Sequence, residues 1–232
     1  MIRREDVNLE KMVLARESCI AVPFEIYIPS DSEPVLTVYS FFEKQAREFE
    51  SKFKDNLFSA DALKWLDDKL SATAKEIGYI HVKNPINHLC EYVIDKRAEI
   101  DVASVLGKVE VLEAGNRLEG VDMTYFDDVD FNETVSAVCV VDDKVASVAL
   151  TNDIEFTDEC VEISVETIPG YEGKGYGTAV VAALCNYYIE RGIKVRYECA
   201  KTNDASVKIA QKCGFDLLGE RYSYVCYAIE EE

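Results

Sequence analysis

The residues with the clearest chemical potential form a glycine-rich loop at 170–178, in which Gly173, Gly175 and Gly177 occupy alternate positions. Glycine has no side chain to keep a ligand away, so the backbone N–H groups of such a loop can approach one closely. The sequence predicts a helix from about Tyr176, and a helix N-terminus favours negative charge. Lys174 adds a mobile positive charge. The loop is therefore predicted to hold a phosphate or a pyrophosphate group.

Three kinds of ligand carry phosphates that such a loop could bind. A nucleoside triphosphate site of the P-loop type needs Gly-x4-Gly-Lys-[Ser/Thr], which the sequence lacks. A dinucleotide fold needs Gly-x-Gly-x-x-Gly early in a βαβ unit, whereas these glycines have a different spacing and lie late in the chain. The pyrophosphate of coenzyme A remains. A merely tight turn is the alternative that the glycine spacing leaves open.

A second block begins about 26 residues after Gly177 and reads Asn-Asp-Ala-Ser-Val-Lys-Ile-Ala-Gln-Lys-Cys-Gly-Phe over 203–215. Together the two blocks resemble the GNAT superfamily of acyl-CoA-dependent N-acyltransferases. The loop of that family reads [Arg/Gln]-x-x-Gly-x-[Gly/Ala], and its following block begins with Asn and ends with Lys-x-Gly-Phe. The resemblance covers about residues 135–228. The chain also resembles the zwittermicin A-resistance-type branch, in which a divergent N-terminal half precedes an acetyltransferase core.

The resemblance implies that acetyl-CoA is the co-substrate and that a defined set of residues holds it. Backbone N–H groups where the preceding strand splays would bind the pantetheine arm, and those of the glycine loop would hold the pyrophosphate. The implied cofactor-binding residues are Val165, Thr167, Ile168, Gly173, Lys174, Gly175, Tyr176, Gly177, Thr178, Asn203 and Ser206.

The family chemistry is direct attack of a neutral amine on the thioester carbonyl, which needs a base and can use an acid for the departing thiolate. Glu162 aligns with the strand glutamate that is the base in some members. Glu166 shares its face by strand alternation and is expected to bind a cationic acceptor. Tyr222 and Tyr224 are candidates for the acid. Solvated strand carboxylates and core tyrosines are the alternatives to these roles.

Two positions depart from the family pattern. Glu172 stands where the family loop has Arg or Gln, and a carboxylate beside a pyrophosphate is unfavourable unless it points away. Ala210 stands where many members have a tyrosine acid. These departures keep a second hypothesis open, in which the chain is a catalytically degenerate CoA-binding module with a regulatory or structural role.

Strand and helix patterns alternate in the half that carries both motifs, and the periodicity predicts strands at 135–141, 145–150, 160–167, 194–199 and 222–229 and helices at 176–190 and 205–212. In the first half, strands at 22–28 and 35–41 precede helical spacing over 42–79, where Ser59 and Asp61 could cap the second of two helices. We expect an α+β fold with a mixed, mostly antiparallel, GNAT-like central sheet flanked by helices and preceded by an additional N-terminal α/β region. The predicted domains are 1–108, of unknown role, and 109–232, the acetyltransferase.

The amino-acid composition limits the classes of binding partner and the cellular compartment that we expect for this protein. The formal net charge of −19 disfavours nucleic acid and anionic membranes and would attract a small amine-bearing, cationic acceptor, although solubility alone is an alternative explanation. Eight cysteines without a CxxC pair, and no apolar run behind Arg3 and Arg4, indicate free thiols in a cytoplasmic protein. His81 and His88 have no cysteine partner at metal-ligand spacing, so no metal is expected. A monomer or a homodimer is expected.

Overall fold

The computed structural model describes residues 3–7, 20–76, 79–81, 87–116, 118–157 and 160–228, and it contains eleven strands and four α-helices within these ranges. The strands are β1 Arg3–Val7, β2 Ile20–Pro29, β3 Val35–Tyr39, β4 Tyr79–His81, β5 Asn87–Ile94, β6 Lys108–Leu112, β7 Ser136–Val141, β8 Lys144–Thr157, β9 Cys160–Thr167, β10 Lys194–Ala200 and β11 Asp216–Ala228. The helices are α1 Glu43–Phe53, α2 Ala60–Glu76, α3 Tyr176–Ile189 and α4 Asp204–Cys213.

The chain divides into two compact units. The first unit comprises residues 1–90 and 219–232, and the second comprises residues 91–218. The boundary at 108/109 drawn from the sequence stays a prediction. The prediction that the chain has no secretory signal rests on its first ten residues. Of these, residues 1–2 and 8–10 lie outside the described residues.

In the first unit, the strands are ordered β1-β3-β2-β11, and β4 pairs with β11. β1 and β3 run parallel, whereas the pairs β2–β3, β2–β11 and β4–β11 are antiparallel. α1 and α2 each have apolar residues at intervals of three and four positions. These residues are buried against Phe24 and Leu36 of the sheet. Ser59 Oγ accepts a hydrogen bond from Ala62 N at 3.2 Å, which confirms the predicted cap of α2.

In the second unit, β6 to β10 lie side by side in chain order. The pairs from β6 to β9 are antiparallel, and β9 and β10 run parallel. The predicted strands at 135–141 and 145–150 pair as a hairpin: β7 and β8 are joined at Asp142 and Asp143, whose φ angles of 50° and 56° suit a tight turn between twisted strands. α3 is buried along most of its length and contacts β6, β7, β8 and β9. This packing fixes where α3 begins relative to the end of β9.

The predicted α+β class, with a mixed and mostly antiparallel sheet flanked by helices, is confirmed in both units. The alternation predicted along β9 is also confirmed, because Val161 and Ile163 are buried while Glu166 is exposed. Six cysteines of the described residues are free thiols, and five of those are buried. No helix among the described residues has both the length and the apolar composition needed to span a bilayer.

Candidate functional site

The glycine loop turns sharply into α3 through residues in the left-handed region. Gly170, Gly173 and Gly175 have φ angles of 89°, 74° and 90°, and Gly175 is the N-cap residue of α3. Residues with a Cβ rarely adopt this conformation, which explains the glycines at 173 and 175. The first N–H groups of a helix have no partner within it, so those of α3 are directed out of its N-terminus. The loop thus has the backbone geometry of an anion cradle, and its binding of a phosphate stays a prediction.

Gly177 serves a different purpose from its two neighbours. A Cβ there would lie 3.2 Å from Ile209 Cδ1 and 3.2 Å from Thr167 Oγ1, with Val165 Cγ2 at 3.7 Å. The missing side chain lets the first turn of α3 approach β9 and α4 closely. Gly177 is therefore required by packing, in addition to any contact of its N–H with a ligand.

A cavity of about 530 Å³ opens at this junction. The glycine loop, the beginning of α3, the end of β9 and one side of α4 surround it. Its lining residues are Val165, Thr167, Tyr171, Glu172, Gly173, Gly175, Tyr176, Gly177, Thr178, Asn203, Asp204, Ala205, Ser206, Lys208, Ile209 and Lys212. Nine of the eleven predicted cofactor-binding residues are among them; Ile168 and Lys174 are not.

The strand bordering the cavity separates from its neighbour there. The parallel ladder between β9 and β10 ends at the pair Ile163–Tyr197, although both strands continue for several residues. Ile168 N donates to Ala146 O at 2.9 Å on the β8 side. Because N–H groups alternate in direction along a strand, those of Val165 and Thr167 point to the opposite edge, where the ladder has opened. The Ile168 N–H is already engaged, and only the other two predicted strand residues reach the cavity.

A second helix N-terminus borders the same cavity. Asn203 caps α4, since its Oδ1 accepts a hydrogen bond from Ser206 N at 3.2 Å. Two helix dipoles thus direct their positive ends to one space, which favours an anionic group there. The donors are the neutral backbone amides that a diphosphate binds, so the residues present fit the pyrophosphate of coenzyme A.

The charged side chains of the loop bend back onto the loop itself. Glu172 Oε2 accepts a hydrogen bond from Gly170 N at 2.5 Å, and Lys174 Nζ donates to Gly170 O at 3.0 Å. The Lys174 ammonium also lies 5.0 Å from the centre of the Tyr171 ring. The carboxylate that departs from the family pattern is therefore occupied by a loop amide, and Lys174 lies beside the cavity without lining it.

Glu162 lies on the other face of β9 from Val165 and Thr167 and is held by a cross-strand amide. Asn152 Nδ2 donates to Glu162 Oε1 at 3.1 Å, and Ser164 Oγ donates to Asn152 Oδ1 at 2.9 Å. Arg196 is its register partner on β10. This chain of hydrogen bonds fixes one carboxylate oxygen of Glu162. Its role as base stays a prediction.

Glu166 lies further along the same face and accepts a hydrogen bond from Tyr125 Oη at 3.1 Å. That hydrogen bond, together with the nearby negative charges of Glu166, Glu172 and Asp128, raises the pKa of Tyr125. Tyr125 belongs to no motif, and its proximity to Glu166 arises only in the folded chain. It is a residue that sequence reasoning missed.

Tyr222 and Tyr224, the predicted acids, are fully buried in the aromatic core of the first unit. Tyr224 Oη donates to Ser71 Oγ at 3.2 Å, whereas Tyr222 Oη has no hydrogen-bond partner among the described residues. Burial raises the pKa of Tyr222 far above its ordinary value. Their role as acids stays a prediction.

Sequence reasoning also missed the side of α4 that lines the cavity. Ala205, Lys208, Ile209 and Lys212 all contribute to the lining and recur at intervals of three and four. This spacing places them on one helix face. Helical periodicity counted from Asn203 could have identified them.

Comparisons with known proteins agree with this geometry. The family model described as GNAT acetyltransferase matches residues 4–227, which extends well beyond the stretch that carries the two motifs. A protein described as an acetyltransferase of the GNAT family from Novosphingobium aromaticivorans is 14% identical, with a TM-score of 0.51, over 66% of this chain and 68% of that one. This likeness concerns the fold alone.

Two further solved structures are similar at lower scores. A GCN5-related N-acetyltransferase-like protein from Streptococcus suis is 17% identical over 70% of this chain and 68% of that one, with a TM-score of 0.44. A conserved protein of unknown function from Staphylococcus epidermidis is 12% identical over 95% of this chain and 77% of that one, with a TM-score of 0.45. The curated proteins compared with the chain contain no match to it. The family model spans nearly the whole sequence, and the chain therefore belongs to the GNAT acetyltransferase family.

Proposed function

We propose that the protein transfers an acetyl group from acetyl-CoA to a primary amine of a small, cationic acceptor, by direct attack of the neutral amine. The observation that carries the proposal is the cavity in which the N-termini of α3 and α4 meet the opened edge of β9. The family accounts for acyl transfer from acyl-CoA in general. The acetyl group, the amine and its charge belong to the proposal.

The thioester would lie along the opened edge of β9. With the pyrophosphate on the amides of α3, the pantetheine arm would follow the strand and bind the N–H groups of Val165 and Thr167. An N–H group directed at the thioester oxygen stabilises the negative charge that develops there during attack. The chain supplies these donors from backbone that is already fixed by pairing with β8.

The acceptor would approach from the face of β9 that carries Glu162 and Glu166. Because the β9–β10 ladder ends at Ile163, a thioester between the two strands could be reached from that face. Glu162, oriented by Asn152, would take the proton of the ammonium directly or through a water molecule. The neutral amine then attacks, the carbon–sulfur bond breaks with CoA leaving as a thiolate, and the new amide nitrogen releases its surplus proton to solvent or to that thiolate.

The charge of the acceptor is inferred from its expected surroundings. Glu166, Glu172 and Asp128 all act electrostatically on Tyr125, so several carboxylates share this part of the second unit. A chain with a net charge of −19 would also draw cationic ligands from solution. Glu166 would bind the positive charge of the acceptor, while Tyr125 orients its carboxylate.

Protonation of the thiolate by Tyr222 or Tyr224 remains part of the proposal, although the transfer does not require a side-chain acid. Tyr222→Phe and Tyr224→Phe distinguish the two possibilities. A loss of kcat in either variant without a loss of stability would identify an acid, and unchanged kcat would assign both tyrosines to the core. Membership of the zwittermicin A-resistance-type branch is likewise a proposal.

The alternative is a degenerate module that binds CoA without transferring its acyl group. It is favoured by Glu172, whose carboxylate takes up one of the loop amides. Such a module would bind acetyl-CoA and acetylate none of a panel of amines. Transfer to any cationic amine would exclude it.

Acetyl-CoA binding measured by calorimetry tests the cofactor site. Gly175→Glu places a carboxylate in the cradle, and Gly192→Glu is the matched control at the other end of α3. Gly175 and Gly192 have φ angles of 90° and 77°, so both substitutions impose similar backbone strain, but only Gly175 lines the cavity. We expect micromolar binding that Gly175→Glu abolishes and Gly192→Glu retains. Absence of binding to the wild type would contradict the proposed function.

A further inference from the structure

Two lysines of α4 line the same cavity as the glycine loop. Lys208 and Lys212 are four residues apart, so they lie one above the other on one side of the helix. At about 1.5 Å rise per residue, their Cα atoms are about 6 Å apart along its axis. Of the described residues that line the cavity, these two are cationic, and Glu172 and Asp204 are anionic. Glu172 belongs to the glycine loop, so the α4 side of the cavity, with the two lysines and Asp204, presents net positive charge.

Neither lysine is paired with a carboxylate of the second unit. Within residues 91–116, 118–157 and 160–218, no ion pair joins Lys208 or Lys212 to an acidic side chain. Other lysines of this unit are paired, as Lys96 is with Asp216 at 3.6 Å and Lys144 with Asp122 at 3.5 Å. Two like charges at this helical spacing repel each other. An anionic ligand bound between the two ammonium groups would relieve this repulsion.

Coenzyme A offers two chemically different anionic groups. Its pyrophosphate is a diester-like link that suits the neutral amides at the start of α3. Its ribose 3′-phosphate is a monoester, which carries about −1.5 to −2 charge at neutral pH and suits compact ammonium groups. We propose that Lys208 and Lys212 bind the 3′-phosphate and make the site selective for coenzyme A over 3′-dephospho-coenzyme A. This inference rests on the proposed function.

Calorimetry with the two ligands tests the inference. We would compare the wild type with Lys208→Met/Lys212→Met, in which methionine keeps an unbranched, helix-compatible side chain. The control Lys96→Met/Lys194→Met removes the same charge from the second unit at positions that do not line the cavity. All titrations are made at one ionic strength, because salt screens such contacts.

We expect the wild type to bind coenzyme A roughly tenfold more tightly than the dephospho form, as two charge-assisted contacts would give. The Lys208→Met/Lys212→Met variant should bind both ligands with the weaker affinity, and the control should keep the preference. Equal binding of both ligands by the wild type would overturn the inference and leave the proposed function intact. If the variant lost affinity equally for both ligands, the lysines would be assigned to the pyrophosphate, and the inference would also be overturned. No binding of either ligand by the wild type would overturn the proposed function itself.

Discussion

The two faces of β9 are built in different ways. The face with Val165 and Thr167 borders a cavity whose anion donors are backbone N–H groups, set by left-handed glycines and two helix N-termini. The face with Glu162 and Glu166 presents side chains, each oriented by a partner from another part of the chain. The proposed cofactor side thus depends on backbone geometry, and the proposed acceptor side depends on assembled side chains. Substitutions should therefore separate binding of acetyl-CoA from transfer.

Glu162→Gln should have the largest effect, because it removes the proposed base and leaves the backbone cradle intact. We expect kcat to fall roughly 100-fold or more, with the Kd of acetyl-CoA unchanged within about twofold. Steady-state kinetics and calorimetry measure the two quantities. Glu190→Gln, which changes an exposed carboxylate paired with Arg97, is the control and should behave as the wild type. A parallel loss of acetyl-CoA binding would show that the two faces are not separable.

Gly177→Ala tests the cofactor side through packing. The added methyl group would meet Ile209 and Thr167 at 3.2 Å, so α3 or α4 must shift. We expect the free energy of unfolding to fall by about 1–3 kcal/mol and acetyl-CoA to bind more weakly. Thermal unfolding and calorimetry report these changes. Unchanged stability together with unchanged affinity would contradict the assigned close approach of α3 to β9.

Asn152→Ala should have a smaller effect on transfer. Glu162 keeps its charge but loses the hydrogen bond that fixes one of its oxygens. We expect kcat to fall by roughly tenfold, as for the loss of one hydrogen bond to a charged group, with acetyl-CoA affinity unchanged. Asn152→Gln, which can still donate, should recover part of the rate. A stability loss without a kinetic effect would make Asn152 a structural residue.

The smallest effect concerns the titration of Tyr125. Because the hydrogen bond to Glu166 and the surrounding carboxylates raise its pKa above 10.0, the phenol stays protonated at neutral pH and can donate to Glu166. Its stabilising contact is complete below pH 10 and is lost as the pH rises through the raised pKa. The tyrosinate difference spectrum between the wild type and Tyr125→Phe should have a midpoint above pH 10, which Glu166→Gln lowers. A wild-type midpoint at or below 10 would contradict the contact.

Most of the lining of the proposed cofactor side could be predicted from the sequence because its determinants are local. The glycine loop and the block from Asn203 each form a turn that leads directly into a helix. Nine of the eleven predicted cofactor-binding residues line the cavity. The resemblance implied Ile168 as part of the splayed strand end, but its N–H direction is set by pairing with Ala146. Lys174 bends onto Gly170, an outcome of loop conformation that residue type does not determine.

The side-chain partners on the other face could not be predicted in the same way. Asn152 meets Glu162 through the register of β8 against β9, and Tyr125 meets Glu166 across 41 positions of sequence. Strand alternation did predict that Glu162 and Glu166 share a face. The burial of Tyr222 and Tyr224 follows from packing against α1 and α2, which their spacing on one strand does not reveal.

The most direct test of the account is acetyl transfer to a panel of cationic primary amines, measured by mass spectrometry of the product and by release of the CoA thiol. We expect an acetylated amine with the wild type and the Gly192→Glu control, and no product above background with Gly175→Glu or Glu162→Gln. Tight acetyl-CoA binding by the wild type with no product from any amine would contradict the account and favour the degenerate module.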